Sequence, residues 1–197
     1  IGHGLGVAPS FYVVKRLDST DNWYGYWKPL GNTKVMYLDL TNAASGASSN
    51  YWNNTDPTTT VFSFGAAFQS TGNYVAYCFA EKNSYLKIGK YKGNGNANGA
   101  FVYTGFKPAW FMIKSTGSGN EWYVWDNKRD IDNPGFQTLY ASSNIAEFYS
   151  SYGDFLSNGF KARSVSGGIN SSGQEYIYMA IAENPIVGTN NIPATAR

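Results

Sequence analysis

The stretch Phe11-Tyr12-Val13-Val14-Lys15 returns later in the chain as Trp110-Phe111-Met112-Ile113-Lys114. Each reads as a strand, because aromatic and β-branched side chains fit a pleated surface. The recurrence spreads outward from it. At a separation of 99 residues, Gly6, Pro9, Trp23 and Tyr24 fall on Gly105, Pro108, Trp122 and Tyr123. At a separation of 102, Asn42, Ala44, Tyr74, Ala80 and Glu81 fall on Asn144, Ala146, Tyr176, Ala182 and Glu183. The order is kept, and one net insertion of three residues accounts for the change, assigned to the Asp130-to-Gly135 loop. The chain is therefore an internal repeat, divided here into halves 1–86 and 87–197.

Both halves share a coarse layout. Each has a leading aromatic strand (Phe11–Arg16; Ala109–Ser115) and a Trp-Tyr strand (Trp23–Trp27; Trp122–Trp125). A short strand follows near Val35–Leu40 or Thr138–Ala141. A Ser/Asn-rich loop leads to a further strand (Val61–Gly65; Gly159–Val165), and a long strand closes the copy (Tyr74–Glu81; Tyr176–Glu183). Short strands separated by turn clusters predict a sandwich or barrel. Asn94-Gly95, Asn98-Gly99 and Asn158-Gly159 are candidate type I′ turns. The segment from Lys87 to Gly105 has no counterpart in the first half. Since the chain opens on Ile1, the parent protein is expected to continue upstream, or an initial strand to be missing.

Composition agrees with the layout. The 197 residues include 16 Tyr, 12 Phe, 6 Trp and 22 Gly, but only 15 Lys and Arg and 13 Asp and Glu. So many aromatics exclude a disordered chain, and the scarcity of helix formers excludes a coiled coil. No apolar run approaches the length of a membrane-spanning helix. A net charge of +2 with scattered lysines argues against nucleic acid as a partner. The single Cys78 can form no internal disulfide and reads as a buried small hydrophobe. The predicted fold class is all-β: a β-sandwich of jelly-roll or concanavalin-like kind built from two internal repeats.

Several strings are similar to one known family. They are His3-Gly4-Leu5-Gly6-Val7-Ala8-Pro9, Gly93-Asn94-Gly95, Phe101-Val102-Tyr103-Thr104-Gly105-Phe106-x-Pro108, Leu156-Ser157-Asn158-Gly159-Phe160, Phe79-Ala80-Glu81 and Ala182-Glu183-Asn184-Pro185. Together they resemble a domain of tailed-bacteriophage structural proteins, described as tail-fibre or lectin-like. The C-terminal Ile192–Arg197 is similar to the natural end of such proteins. Lys92 and Ile186 depart from the pattern, where Thr and an aromatic are usual. The resemblance implies a virion component, a homo-oligomer (a trimer favoured), other virion proteins as partners, and no catalytic residues.

Catalytic chemistry finds no support in the residues. The alternating carboxylates of sandwich glucanases are absent, and Glu81 and Glu183 are repeat-equivalent, which suggests a shared structural task at a strand end. His3 is the only histidine and reads as a turn residue, and Gly-x-Ser-x-Gly is absent. Asp126 to Asn133 offers hard oxygens suited to Ca²⁺, but two cations stand among them and it reads as a solvated loop. Gly93–Gly99 leads to a strand, so no helix dipole could meet a phosphate. No metal or cofactor is expected.

Carbohydrate recognition needs exposed rings beside polar side chains. Three places supply the mixture: Tyr51, Trp52 and Asn53; Tyr149, Tyr152 and Asp154; and Asp130 and Asp132. The first two follow Ala44 and Ala146 and so are repeat-equivalent. Their rings either contact a receptor or fold back on the core or a neighbouring subunit. The expected function is attachment of a virion to a host-surface glycan from a distal tail-fibre or tail-tip position, without membrane insertion. The alternatives are an architectural virion domain and, less favoured, a polysaccharide depolymerase.

Overall fold

The computed structural model describes residues 1–68, 71–129 and 132–184. They form an all-β chain of two compact units, Ile1–Glu81 and Lys82–Arg197. The division falls five residues before the break expected from sequence. Lys82 turns back on Leu86 through a reciprocal pair of backbone hydrogen bonds of 3.1 and 3.0 Å. That tight turn ties residues 82–86 to the strand that follows.

In the first unit, β1 (Phe11–Arg16), β2 (Tyr24–Trp27), β3 (Met36–Tyr37) and β4 (Tyr74–Phe79) form one antiparallel sheet in the order β3-β2-β1-β4. The second unit adds β5 (Leu86–Lys92), β6 (Ala100–Tyr103), β7 (Pro108–Ser115), β8 (Tyr123–Asp126), β9 (Gly135–Tyr140), β10 (Phe148–Leu156), β11 (Gly159–Ala162) and β12 (Glu175–Ala182). Their order is β5-β12-β7-β8-β9-β10-β11-β6.

The sequence repeat is a repeat of register. Phe11 opposes Trp27 and Phe79 in the first unit; Trp110 opposes Asp126 and Ile181 in the second. These are the same positions at separations of 99 and 102. Thus β3-β2-β1-β4 corresponds strand for strand to β9-β8-β7-β12. Flanking bonds recur too: Leu17 N–H to Asn73 O matches Thr116 N–H to Glu175 O, and Lys28 N–H to Ser10 O matches Asn127 N–H to Ala109 O. Gly6 and Gly105 both adopt positive φ (72° and 84°) in the turn before the leading strand, a conformation that side chains with a Cβ disfavour.

Adjacent strands lie about 4.8 Å apart, so β7 and β11, four places apart, would be about 19 Å apart in a flat sheet. Instead, the rings of Phe111 on β7 and Phe160 on β11 stack with centroids 4.5 Å apart. The sheet therefore folds over, with β9 passing between layers, and encloses a core of Phe111, Trp125, Phe155, Phe160, Tyr176 and Tyr178. This is a two-layer sandwich.

Among the described residues, the first unit shows only a remnant of the second layer. Tyr12 packs on Trp52 (5.0 Å) and Phe62 (4.6 Å) as Phe111 packs on Phe155 (5.0 Å) and Phe160. Val61 bridges Gly2 as Lys161 opposes Phe101 between β11 and β6; by this register Phe62 aligns with Ala162, so its likeness to Phe160 is one of packing alone. The strand expected at Val61–Gly65 is thus a single bridge.

Other expectations are corrected. Residues 148–156 form strand β10, not a loop equivalent to residues 50–54, which make a turn. Asn94, Asn98 and Asn158 do not take positive φ, so the three Asn-Gly pairs are not type I′ turns. The β10–β11 hairpin turns on Ser157 and Asn158, with Leu156 opposite Gly159.

Candidate functional site

The residues proposed from sequence separate in space and in burial. Trp52 is fully buried, its Nε1–H donating to Lys34 O at 2.8 Å, with rings of Tyr12, Tyr26 and Phe68 around it. It is a lid on the first core and presents no face to a ligand. Its apolar area fills the gap left by the missing second layer, and a ring that fills a core cannot also stack on a sugar. Tyr51 is half-buried beside Tyr37, hydroxyl to hydroxyl at 3.4 Å. Asn53 is exposed with positive φ (53°), a turn role that asparagine tolerates.

In the second unit, Tyr149 on β10 is 70% exposed, opposite Gln137. Tyr152 instead packs against the core, near Tyr123 at 6.4 Å. Asp154 is buried (8% exposed) beneath Arg163, whose Nη1 lies 3.5 Å from its carboxylate. Asp132 is exposed, and Asp130 lies outside the described residues.

The outer face of β6, β11 and β10 gathers what the sequence pairing did not reveal. Phe101 (50% exposed) and Tyr103 (64%) project from β6 on the same side, about 7 Å apart along the strand. Lys161 opposes Phe101 and Gly159 opposes Tyr103; Asp154 in turn opposes Lys161. Lys161 donates to Asn98 Oδ1 at 2.9 Å, and Arg163 holds Asp154. Two planar rings therefore lie beside a short polar row. The signal was present in Phe101-Val102-Tyr103, an alternating strand with its aromatics outward, but alternation alone does not say which face meets the core.

Several other polar groups are held in structural contacts. Asn170, fully buried, donates to Asn94 Oδ1, Asn96 O and Ser164 O (2.9, 3.0 and 2.7 Å) and accepts from Asn94 N–H. That side chain, with the backbone bonds of Gly93 to Gln174 and of Gly95 to Asn170, anchors the Gly93–Gly99 loop. Glu183 pairs with Lys107 at 2.7 Å and accepts from Asn127 at 2.8 Å, closing a strand end; the Lys107 bond holds its carboxyl below the usual range. Burial alone would raise the carboxyl of Asp126, but Arg129 at 2.6 Å and two backbone amides hold it below its ordinary value. Arg129 also reaches Glu147 at 2.5 Å. Both oxygens of Asp126 are thus engaged, and a cation there would have to displace Arg129. The described residues contain no group of three or more His, Cys, Asp or Glu side chains placed to hold a metal ion. His3 accepts from Leu5 N–H at Nδ1 (3.2 Å) and lies 3.1 Å from Thr58 O at Nε2, which fixes the proton on Nε2.

Fold and surface define a class: a twin-repeat, all-β protein with an aromatic-bearing outer sheet face. The chain belongs to the family described as Domain of unknown function (DUF7483), whose model matches residues 1–185 and so spans both repeats. No curated protein and no solved structure matches it.

Proposed function

We propose that this chain is a virion structural module of a tailed bacteriophage, displayed on a tail fibre or tail tip, that attaches to a host-surface glycan. The observation that carries the reading is the pair of outward rings Phe101 and Tyr103 beside Lys161, Asn98 and Arg163. Sugar C–H faces stack on such planes, and hydroxyls bond to the polar row beside them. A shallow strand face suits an extended chain of sugars, whereas a single small ligand needs a concave pocket. Tyr149 offers a third exposed ring further along β10. Each site is weak alone, and display of several copies on one particle raises the affinity by avidity. The resemblance of the motif set to phage fibre domains supports the virion setting.

The test is glycan-array and calorimetric binding to polysaccharides of candidate hosts. Phe101→Ala and Tyr103→Ala each weaken binding by about tenfold, a loss of about 1.4 kcal/mol. Unchanged binding in both removes this face from the reading. A second reading, architectural, makes the same exposed rings a contact with a virion neighbour, since aromatics are enriched at interface cores. It predicts no glycan binding, and burial of Phe101 and Tyr103 in the assembled particle.

A further inference from the structure

The outer face of β10, β11 and β6 is laid out in two rows. One row runs Asp154, Lys161, Phe101 across the three strands; the next runs Leu156, Gly159, Tyr103. Both lie opposite the core side chains Phe155, Phe160 and Val102, which alternate with them. Neighbours within a row stand about 4.5–5.5 Å apart at Cβ. The rings lie along the face. A Cβ at Gly159 would come within 3.1 Å of Phe101 Cε2, and one at Gly105 within 3.9 Å of Tyr103 Cε1. Each ring thus leans over a glycine and turns its other side to solvent.

Charge is confined to the Phe101 row and its border, and it does not cancel. Asp154 is taken by Arg163, Nη1 to carboxylate at 3.5 Å. Lys161 has a neutral partner, Asn98 Oδ1 at 2.9 Å, and among the described residues no carboxylate pairs with it. An ammonium carries three donors, so Lys161 keeps donors for a ligand. Lys161 and Arg163 set two positive charges against the one negative charge of Asp154, and the surplus sits beside Phe101. A sugar stacked on Phe101 projects its substituents sideways, in the plane of its own ring. On the β11 side they meet Lys161. A hydroxyl there exchanges one ordinary hydrogen bond with water for another, whereas an anionic group makes a charge-assisted bond about twice as strong.

We propose that this face selects acidic polysaccharides. The anionic group of a sugar stacked on Phe101, a carboxylate or a sulfate, pairs with Lys161, while a neighbouring sugar lies on Tyr103. Arg163 acts indirectly: by holding Asp154 it keeps that carboxylate from repelling the ligand. The Tyr103 row bears no charge and contributes stacking alone. The selection rests on the glycan reading of the same face and narrows it to a class of sugar. Electrostatic complementarity of this kind contributes more to specificity than to affinity.

The probe is an array of bacterial polysaccharides, neutral, carboxylate-bearing and sulfate-bearing, in which each acidic member is paired with its carboxyl-reduced or desulfated form. The intact chain is expected to bind acidic members about threefold to tenfold more tightly than their neutralised partners, and the preference should shrink as salt is raised. The two kinds of pair distinguish carboxylate from sulfate. In Lys161→Gln the preference falls to near unity. In Lys28→Gln, which removes the same charge from an exposed position of the first unit, it is kept. Equal binding of acidic and neutralised forms overturns the proposal and leaves the glycan reading standing. So does a preference that survives Lys161→Gln, or one that Lys28→Gln abolishes equally. Binding to no member of the array overturns both.

Discussion

Lys15 and Lys114, 99 positions apart, make the same contact: each ammonium donates to the backbone carbonyl of the residue six positions on, Asp21 and Asn120, the latter at 2.5 Å. The bond ties the end of the leading strand to the loop that enters the next. The two sites differ in burial. Lys15 is half-buried with Trp23 5.9 Å away, whereas Lys114 is fully buried.

Burial disfavours the charged form of Lys114 and lowers its pKa from 10.5 to about 8. Between these values the unfolded chain binds the extra proton, so stability rises with pH across that window. Above about pH 10 the buried phenols of Tyr12, Tyr26 and Tyr123, pushed up mainly by desolvation, reverse the slope. Thermal melts should show a maximum at alkaline pH. Lys114→Met should flatten the rising limb; an unaltered limb in that variant would assign it elsewhere.

On the acid side the sign is opposite. Asp126 and Glu183 have lowered carboxyl pKa values, so their contribution is complete above the ordinary carboxylate range and is lost as pH falls through the lowered values. Urea midpoints taken downward from neutral pH should fall through this range. Lys107→Met, which removes the partner of Glu183, should lower stability at neutral pH and make that fall shallower.

Trp52 and Tyr149 should behave as opposites. Trp52→Ala removes a fully buried indole and should cost about 3–5 kcal/mol in denaturant unfolding. Tyr149→Ala, on a 70% exposed ring, should change stability by less than about 0.5 kcal/mol. Similar losses in both would contradict the lid role of Trp52.

Asn170→Ala should cost about 1–3 kcal/mol, because it removes a fully buried side chain and its bonds to Asn94, Asn96 and Ser164. Amide exchange should then quicken first at Asn94, whose N–H donates to the Asn170 side chain.

Phe11 to Lys15 and its recurrence at Trp110 to Lys114 were enough to give two copies, an all-β class and the central strands of each sheet. Those features are legible because they depend on short-range pattern and on identity at a fixed spacing. Burial was not legible in the same way. Trp52 and Tyr149 sit in similar aromatic, polar contexts, yet one closes a core and the other faces solvent. The difference arises because the first unit lacks a complete second layer, so a loop ring must fill the gap. Likewise, Phe101 and Tyr103 point outward only because Val102 is drawn inward, where it opposes Phe160. Long-range pairing decides such things, since a shift of one residue exchanges the two faces of a strand. The sequence by itself determined the repeat and the strand class. Only the tertiary structure decided which rings are core and which are surface, because long-range strand pairing sets which face of each strand meets the core.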